Sequence, residues 1–203
     1  MDSQCRLKLV ETQYDRSLAN NIIINHHSYV PTVDTVGRHI DYLIYWDKIL
    51  CGMIGIGSAT YPPCKDVLHY TNLSKSQYKQ AFNSFANNWK FCLCRHDIKN
   101  LGTMSLKQLR SRCQEDWFTK YGDHLEYLIT FVGSNKTGSV YLADNWKLIG
   151  ETSGLPPHKS VSMKWDLADL ENKFITPTGE DKKLIFIYTL PQFNSKSKLN
   201  KLF

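Results

Sequence analysis

Residues 127–151, YLITFVGSNKTGSVYLADNWKLIGE, place an apolar run, a glycine-flanked turn, a short helical stretch and another apolar run in close succession. The first run predicts a buried strand over 127–132, and residues 138–145 predict a short helix after the turn. Residues 147–151 predict the next strand. Strand, helix and strand in this order are typical of an α/β protein, so this stretch decides the fold class.

The chain before this stretch predicts the same mixture of elements. Residues 58–67 cannot continue a strand because Tyr61-Pro62-Pro63 lacks the amide donors that a ladder needs, so we predict a loop there. Ser74 is the expected N-cap of an amphipathic helix. The predicted elements are, in order, a helix over 16–27, a hairpin of strands 39–45 and 50–57, a helix over 74–87, a strand at 91–94 and a helix over 105–119.

The chain after residue 151 is less regular. Residues 152–183 are polar and interrupted by proline, which predicts an insertion or a lid, and residues 184–190 predict a strand that closes the sheet. Residues 191–203 form a basic tail. The length fits one domain over residues 1–203, with a core of about 26–151 plus the closing strand.

Composition restricts the class of protein. The chain is 42% hydrophobic and 22% charged, which is typical of a packed globular fold. Its first residues contain no apolar stretch of the length that a signal peptide or membrane span requires, so we expect a cytoplasmic location and no membrane partner. The six cysteines form no CxxC pair, which predicts reduced thiols rather than a disulfide framework or a cysteine-based metal site.

The net charge of +6 is unevenly distributed. Lys107, Arg110 and Arg112 form one cluster, and a second one, Lys196, Lys198 and Lys201, lies near the end of the chain. Such clusters attract polyanions, because neutralising phosphates releases condensed counterions. The alternative is that both are solvated surfaces without a partner.

Three stretches resemble the DruA family of anti-phage defence proteins. Residues 130–132, TFV, and 138–154, GSVYLADNWKLIGETSG, resemble its pattern TFV and GTxYxAxNWxxxGxTxG. Residues 87–91 and 100–103, NNWKF and NLGT, are similar to its NNxRF and NLAS stretches. Residues 37–59 are similar to its GRxLxYxV and GFGSAA hairpin, and residues 185–188 to its terminal strand. The resemblance covers about residues 26–190.

A weaker similarity connects the chain to Mom-type phage enzymes, which modify DNA bases. They share a His-Tyr-Ser element near the N-terminus and the GTxYxxxNW helix. The resemblance implies a GNAT-like (acyl-CoA N-acyltransferase-like) domain with a central mixed, splayed sheet flanked by helices. It also implies DNA as a partner, beside other phage or defence-system proteins, and a phosphate-rich acyl donor: an acyl-CoA, an aminoacyl-adenylate or an aminoacyl-tRNA.

The catalytic residues are suggested by the same resemblance. Tyr141 corresponds to the tyrosine that protonates the leaving group of the donor in acetyltransferase-like enzymes. Its spacing also fits a phenol packed into the core. His27 and Tyr29 lie where substrate-side residues are expected, and His27 is the expected acceptor of the amine proton. His27 with a tyrosine or an acid is a conceivable metal site, and surface or capping roles are the alternative; we assign no metal ligand.

The donor site is predicted at the start of the helix that follows the strand 91–94. Free amides at a helix N-terminus bind anions, and Gly102 permits close approach of the backbone. The residues of this anion site are Asn100, Leu101, Gly102, Thr103, Met104 and Ser105. The alternative is an ordinary helix start capped by Thr103 or Ser105.

The acceptor cleft is predicted from the family comparison, which singles out Ser58, Asn87, Lys90 and Asn145. Two departures from the family pattern matter. Lys90 replaces an arginine, which keeps the charge but removes planar bidentate recognition. Gly133 stands where relatives carry an acidic residue, so this chain has no evident residue that could act as a carboxylate base there.

These features predict acyl or aminoacyl transfer to a nucleobase amine in DNA, in a phage or anti-phage setting. The alternative is a non-catalytic DNA-binding or assembly subunit of a defence system, which the absence of an acid at Gly133 favours. A small-molecule N-acetyltransferase is a third and weaker alternative.

Overall fold

A computed structural model of the chain describes residues 4–26, 37–133, 136–152 and 182–192. These residues form a mixed sheet with helices on both faces. Its strands are β1 (Cys5–Leu9), β2 (His39–Trp46), β3 (Ile49–Ser58), β4 (Phe85–Leu93), β5 (Tyr127–Gly133), β6 (Lys147–Glu151) and β7 (Lys183–Thr189). The helices are α1 (Gln13–His26), α2 (Lys65–Thr71), α3 (Lys75–Gln80), α4 (Leu101–Tyr121) and α5 (Ser139–Ala143), with a 3-10 turn at Phe82–Ser84.

The sheet has the strand order β1-β2-β3-β4-β5-β7-β6. Each pair of neighbours is antiparallel except β4 and β5, which are parallel. The predicted α/β class and mixed sheet are therefore confirmed. The predicted hairpin is present as β2 and β3, whose turn holds Asp47 in the left-handed region at φ 54°.

Helix α1 begins three residues before the predicted position 16. The Thr12 hydroxyl accepts the amide of Asp15 at 3.1 Å, the hydrogen bond that an N-cap side chain makes. The buried Asp15 carboxylate also accepts a 2.6 Å hydrogen bond from the Lys8 ammonium on β1. This bond holds the pKa of Asp15 below its ordinary value, and it joins the first strand to the first helix.

Two other predictions differ from the structure, and one strand is missing from the predictions. The strand β1 was not predicted, because five residues of alternation are too few to identify a strand. The end of the predicted loop 58–67 contains the start of α2. The predicted helix 74–87 ends at Gln80, and β4 begins at Phe85, because the Phe85 ring stacks on Tyr127 of β5 with centroids 4.7 Å apart. The predicted Ser74 cap is confirmed, with Gln77 completing a capping box.

The helices divide between the two faces of the sheet. On the first, which we call the α4 face, Leu106, Leu109 and Trp117 of α4 pack on strand residues such as Tyr42 and Ile54. We call the opposite one the α1 face. There, Ile23 of α1 packs near β2 and β3, while the β3–β4 connection (residues 59–84) covers β5 and β7 through residues such as Val67 and Tyr78.

The predicted insertion or lid at 152–183 and the basic tail at 191–203 lie almost entirely outside the described residues. The one-domain organisation stays a prediction. Among the helices that the structure describes, none combines the length and the apolar character needed to cross a membrane.

Candidate active site between β4 and β5

The parallel strands β4 and β5 separate after a short common ladder. Their pairing runs from Phe85 and Tyr127 to Asn87 and Ile129 and then stops, although β4 continues to Leu93 and β5 to Gly133. Beyond this point, the backbone groups of β4 that face β5 have no ladder partner on it. The sheet is therefore splayed, as predicted, and the opening between the two strands is the candidate site.

A buried hydrogen-bond network closes the narrow end of this gap. The Thr130 hydroxyl on β5 donates to the backbone oxygen of Asn88 on β4 at 2.9 Å. The Asn88 side-chain amide donates to the backbone oxygens of Gly55 at 2.9 Å and Lys90 at 3.1 Å. These bonds orient the Asn88 amide, because its nitrogen must face both carbonyls and its oxygen must point the other way.

The oxygen of the Asn88 side chain accepts a hydrogen bond from Tyr141. The phenol hydroxyl lies 2.8 Å from Asn88 Oδ1 and 3.5 Å from the Thr130 hydroxyl, so α5 reaches into the gap through this one side chain. Tyr141 is only 6% exposed. Its ring is held by Phe91, Trp146 and Phe186, with centroids 5.1 to 6.3 Å from its own. Tyr141 therefore lies at the gap, and its hydroxyl has a protein partner.

The start of α4 lies beside the helix that carries Tyr141. A side chain at Gly102 would place its Cβ 2.7 Å from Val140 Cγ2, so glycine is what allows α4 and α5 to come this close. Val140 directly precedes Tyr141. The anion site and the phenol, which were predicted from separate parts of the sequence, thus belong to neighbouring helix ends at one gap.

The predicted anion site divides into exposed amides and buried side chains. Helix α4 begins at Leu101 rather than 105, and its N-cap is Asn100 at φ 61°, so neither Thr103 nor Ser105 is the cap. The amides of Gly102 and Thr103 have no hydrogen-bond acceptor within the described ranges. The Ser105 side chain, in contrast, is fully buried and donates to the Leu101 carbonyl at 2.7 Å. The Met104 amide donates to the Asn100 carbonyl.

The predicted acceptor residues lie in different places. Asn87 and Lys90 of β4 pair with Gly57 and Gly55 of β3. These two glycines are two residues apart and so lie on the same face of the sheet, which places the side chains of Asn87 and Lys90 together on the α1 face. Ser58 ends β3. Asn145 is exposed in the turn before β6, and β5 and β7 lie between β4 and β6 in the sheet order. The structure brings Asn87 and Lys90 together on one strand and leaves Asn145 on the far side of the gap.

Lys90 belongs to a buried polar group that sequence reasoning missed. It is 1% exposed, and its ammonium lies 3.6 Å from the centre of the Trp89 ring. Asp41, 2% exposed, forms an ion pair with Arg16 and lies across Gly55 from Lys90. Asp41 Oδ1 and Trp89 Nε1 both lie over Gly55, and neither has a hydrogen-bond partner in the described part of the chain. Gly55 and Gly57 of β3 leave room for these side chains on the α1 face, and they are the sequence feature that could have indicated the buried polar group.

The predicted polyanion cluster on α4 is largely neutralised by acids. Arg110 makes two 2.7 Å bonds to the Asp144 carboxylate, which also accepts the Trp146 indole N–H at 3.0 Å. Arg112 donates to Asp116 at 2.6 Å. Two of the three cations of this cluster therefore hold the fold together, and Lys107 is the one that forms no ion pair with a described residue.

Two of the three predicted catalytic residues, His27 and Tyr29, lie outside the described residues. Within the described residues, no group of three or more His, Cys, Asp or Glu side chains is arranged to hold a metal ion. All six cysteines are free thiols. The catalytic roles of Tyr141, His27 and Tyr29 stay predictions.

The strand order, the gap between the parallel strands and the helix start beside it define a GNAT-like acetyltransferase fold. An N-acetyltransferase from Staphylococcus aureus Mu50 has a TM-score of 0.52 at 12% identity, over 92% of this chain and 97% of that one. FeeM, an N-acyl amino acid synthase from uncultured soil microbes, has a TM-score of 0.54 at 10% identity, over 100% and 99%. A Bacillus subtilis acetyltransferase in complex with CoA has a TM-score of 0.54 at 12% identity, over 93% and 100%.

The sequence comparison identifies the family within this fold. Residues 1–183 match the family described as Druantia protein DruA, and the chain belongs to the DruA family of anti-phage defence proteins. No curated protein sequence matches the chain significantly. The resemblance predicted from residues 130–154 is confirmed.

Proposed function

We propose that this chain transfers an acyl or aminoacyl group from a phosphate-rich carrier to an amine of a DNA base, in the setting of anti-phage defence. One observation carries the proposal: the gap between β4 and β5 has the free amides of α4 and the phenol of Tyr141 at its border, joined by the Gly102–Val140 contact. The proposal requires a single extended donor to contact both groups.

The donor that fits best is a CoA thioester. The free amides of Gly102 and Thr103 at the start of a 21-residue helix suit a pyrophosphate, since they point along the positive end of the helix dipole. The complex of the Bacillus subtilis neighbour with CoA supports this choice. An aminoacyl-adenylate or an aminoacyl-tRNA carries the same phosphate chemistry and is the alternative donor. A bound thioester supplies the activated carbonyl.

The protein residues supply the proton transfers. The attacking amine forms the C–N bond as the bond between the carbonyl carbon and the leaving sulfur breaks, and the sulfur takes the hydroxyl proton of Tyr141. The Tyr141 ring is packed on several sides, so the hydroxyl hydrogen turns from Asn88 toward the sulfur while the ring stays in place. His27 or a water molecule takes the proton of the amine. A base within a duplex must first be flipped out.

The alternative is a DNA-binding or assembly subunit that keeps the fold without the chemistry. Two observations favour it: Gly133 provides no carboxylate at the end of β5, and the Tyr141 hydroxyl is already bonded to Asn88 in a buried position. A small-molecule N-acetyltransferase is a weaker third candidate.

Mass spectrometry of nucleosides tests the proposal. DNA from cells that express the wild-type chain should contain a base with an added acyl or aminoacyl mass, and Tyr141→Phe should reduce this adduct at least about a hundredfold. Tyr45→Phe is the matched control, because Tyr45 lies on β2 away from the gap and should leave the adduct unchanged. Unmodified DNA with all three chains, together with salt-sensitive DNA binding, would support the non-catalytic alternative instead.

A further inference from the structure

The β3–β4 connection has a one-sided charge. No acidic residue occurs between Asp66 and Asp97, a stretch that contains Lys75, Lys79 and Lys90. Within residues 59–84 the charged side chains are Lys65, Asp66, Lys75 and Lys79. The three lysines are exposed, and Asp66 is the single acid among them.

Asp66 is turned away from this surface. A side chain added at Gly150 on β6 would place its Cβ 2.6 Å from Asp66 Oδ1 and 2.8 Å from Oδ2, so the carboxylate lies directly against the strand. Within residues 59–84, the one acid is therefore directed toward β6 and the three lysines face outward. Two acids from outside this segment, Asp123 and Glu126, border its end at Asn83 and Ser84. Lys75 and Lys79, four residues apart on α3, lie on the same side of that helix.

Two exposed tyrosines accompany these lysines. Tyr61 is 59% exposed and Tyr70 is 37% exposed, although both are large and partly apolar. Lysines supply the charge that phosphates attract, and tyrosines supply flat rings for sugars and bases. The Tyr70 hydroxyl is already hydrogen-bonded to the Thr189 hydroxyl at 3.2 Å, so its ring is the part available to a ligand. A nucleic acid offers partners to both kinds of side chain, with phosphates for the lysines and sugar and base rings for the tyrosines.

The connection also lies at the same height along the strands as the opening between β4 and β5. Asp66 contacts Gly150, Gly150 pairs with Ile185, and Ile185 pairs with Phe131, the residue that follows Thr130 at the start of the gap. The first turn of α2, with Lys65, is therefore level with the opening between β4 and β5. The opposite surface, on α4, has Arg110 and Arg112 paired with acids.

We propose that the outer surface of the β3–β4 connection, with Lys65, Lys75, Lys79, Tyr61 and Tyr70, binds the sugar–phosphate backbone of the DNA acceptor. This inference rests on the proposed function for the identity of the polyanion, and it assigns the DNA to the α1 face rather than to α4. Contacts of this kind are independent of sequence, so affinity should depend strongly on salt and weakly on base composition.

Fluorescence anisotropy with a short labelled duplex in increasing NaCl tests the surface. The full chain carrying Lys75→Gln and Lys79→Gln should bind at least about tenfold more weakly, and the slope of log affinity against log salt should fall by about 2. The matched control carries Lys107→Gln and Lys120→Gln on α4, loses the same charge and should bind within about twofold of wild type. Equal losses in both double variants, or a larger loss in the α4 variant, would overturn the proposal.

Three further measurements distinguish a lost charge from a damaged fold and DNA from a lipid surface. Lys75→Arg with Lys79→Arg keeps the charge and should keep the affinity, and a loss equal to that of the glutamine variant overturns the proposal. The thermal unfolding midpoints of all variants should agree with wild type, since these side chains are exposed. Tighter binding to phosphatidylserine vesicles than to DNA at the same salt would reassign the surface to a membrane and also overturn the proposal.

The nucleoside assay separates this inference from the proposed function. If wild-type cells contain no adduct but the lysine pattern in DNA binding holds, the proposed transfer reaction fails and the binding surface stands. If the adduct forms equally well with Lys75→Gln and Lys79→Gln at limiting DNA, the surface is wrong and the transfer reaction stands.

Discussion

Asn88 is the residue on which the geometry of the gap depends most directly. Its side chain makes hydrogen bonds to two backbone carbonyls and to Tyr141, and its own carbonyl accepts from Thr130. Asn88 is 3% exposed, so water does not replace these bonds when one is lost. The side chain and the main-chain oxygen of this one residue thus connect β3, β4, β5 and α5 at the point where the sheet opens.

Replacing Asn88 by leucine should destabilise the protein by about 2–4 kcal/mol, because the Tyr141 hydroxyl and the Gly55 carbonyl lose a partner in a buried position. Urea unfolding measures the change. Asn83→Leu is the control, since Asn83 is exposed in the 3-10 turn and its one amide contact, to Asp123, is 3.4 Å long. A loss below about 1 kcal/mol for Asn88→Leu would contradict the role of this network.

The buried thiols give a second prediction at this scale. Burial raises the pKa of Cys113 to about 12 and that of Cys92 to about 11, from an ordinary value of 9.0. At pH 8 the thiolate fraction of Cys113 is then on the order of 10⁻⁴, so the native protein should resist thiol reagents at this position. Peptide mapping after alkylation, with and without urea, measures the effect.

The sign of the pH dependence follows from the same shifts. As pH rises above 9, the unfolded thiols ionise while the folded ones stay protonated, so folding stability should decrease toward pH 12. Cys113→Ala should flatten this decrease. Rapid native alkylation of Cys113 at pH 8, at the rate seen in urea, would show that this site is open.

At the scale of elements, the contact between α4 and α5 is the decisive one. It consists of the Gly102–Val140 approach at one end and the Arg110–Asp144 ion pair further along α4. Because α5 has only five residues, its position depends on these contacts and on the packing of Tyr141 rather than on its own helical stability.

Gly102→Ala should push the start of α4 away from α5 and destabilise the protein by about 1–3 kcal/mol, because the added Cβ meets Val140 at 2.7 Å. The double variant Gly102→Ala with Val140→Ala removes the opposing methyl groups and should recover part of this loss. A double-mutant cycle by urea unfolding measures the coupling. Additive effects would show that the two residues do not touch.

Arg110→Met should cost about 3–5 kcal/mol, because it leaves the Asp144 carboxylate, 3% exposed, without its charge partner. Lys107→Met on the same helix is the matched control and should change stability by less than about 0.5 kcal/mol. Thermal unfolding measures both. Similar losses in the two variants would mean that the ion pair does not hold α5.

The elements that sequence reasoning predicts well are those with a strong local signal. The hairpin follows from its strand pattern and tight turn, and the Ser74 cap is a local pattern. The spacing of Phe85 from Tyr78 and Phe82 predicts a helix, but its pairing with Tyr127, far along the chain, overrides that spacing. Pro62 and Pro63 predict a loop, and helix α2 begins at Lys65, only two residues later, so the predicted loop extends over the start of the helix.

The candidate site could be predicted only in part, for a related reason. Tyr141 and Gly102 stand in motifs that resemble a family, so the sequence points to them. The ion pair of Asp41 with Arg16 and the bond of Asn88 to Tyr141 join residues that are distant in sequence, and no spacing rule reports such contacts. The same is true of Arg110, whose charge suggests a polyanion although its partner in the fold is Asp144.

At the scale of the whole molecule, the short β4–β5 ladder divides the sheet into a block of β1 to β4 and a block of β5 to β7. Slowly exchanging amides should therefore form two groups, with β3 and β4 protected together and β5 and β7 protected together. Native-state hydrogen exchange in low urea measures this. One group with a single opening free energy across all these strands would contradict the division.

The three-pair ladder has a consequence for how the polypeptide tolerates being cut. The segment between Gly122 and Leu125 connects the end of α4 to β5. The described contacts across this boundary include the three ladder pairs, the backbone bond from Glu126 to Ser84, side-chain bonds such as Arg110–Asp144 and Asn88–Tyr141, and apolar packing. Two polypeptides divided here, produced in the same cell, should be able to find each other and rebuild the protein. A division in the turn of the β2–β3 hairpin should not allow this recovery, because it would leave β2 and β3, which form a long ladder, on separate polypeptides.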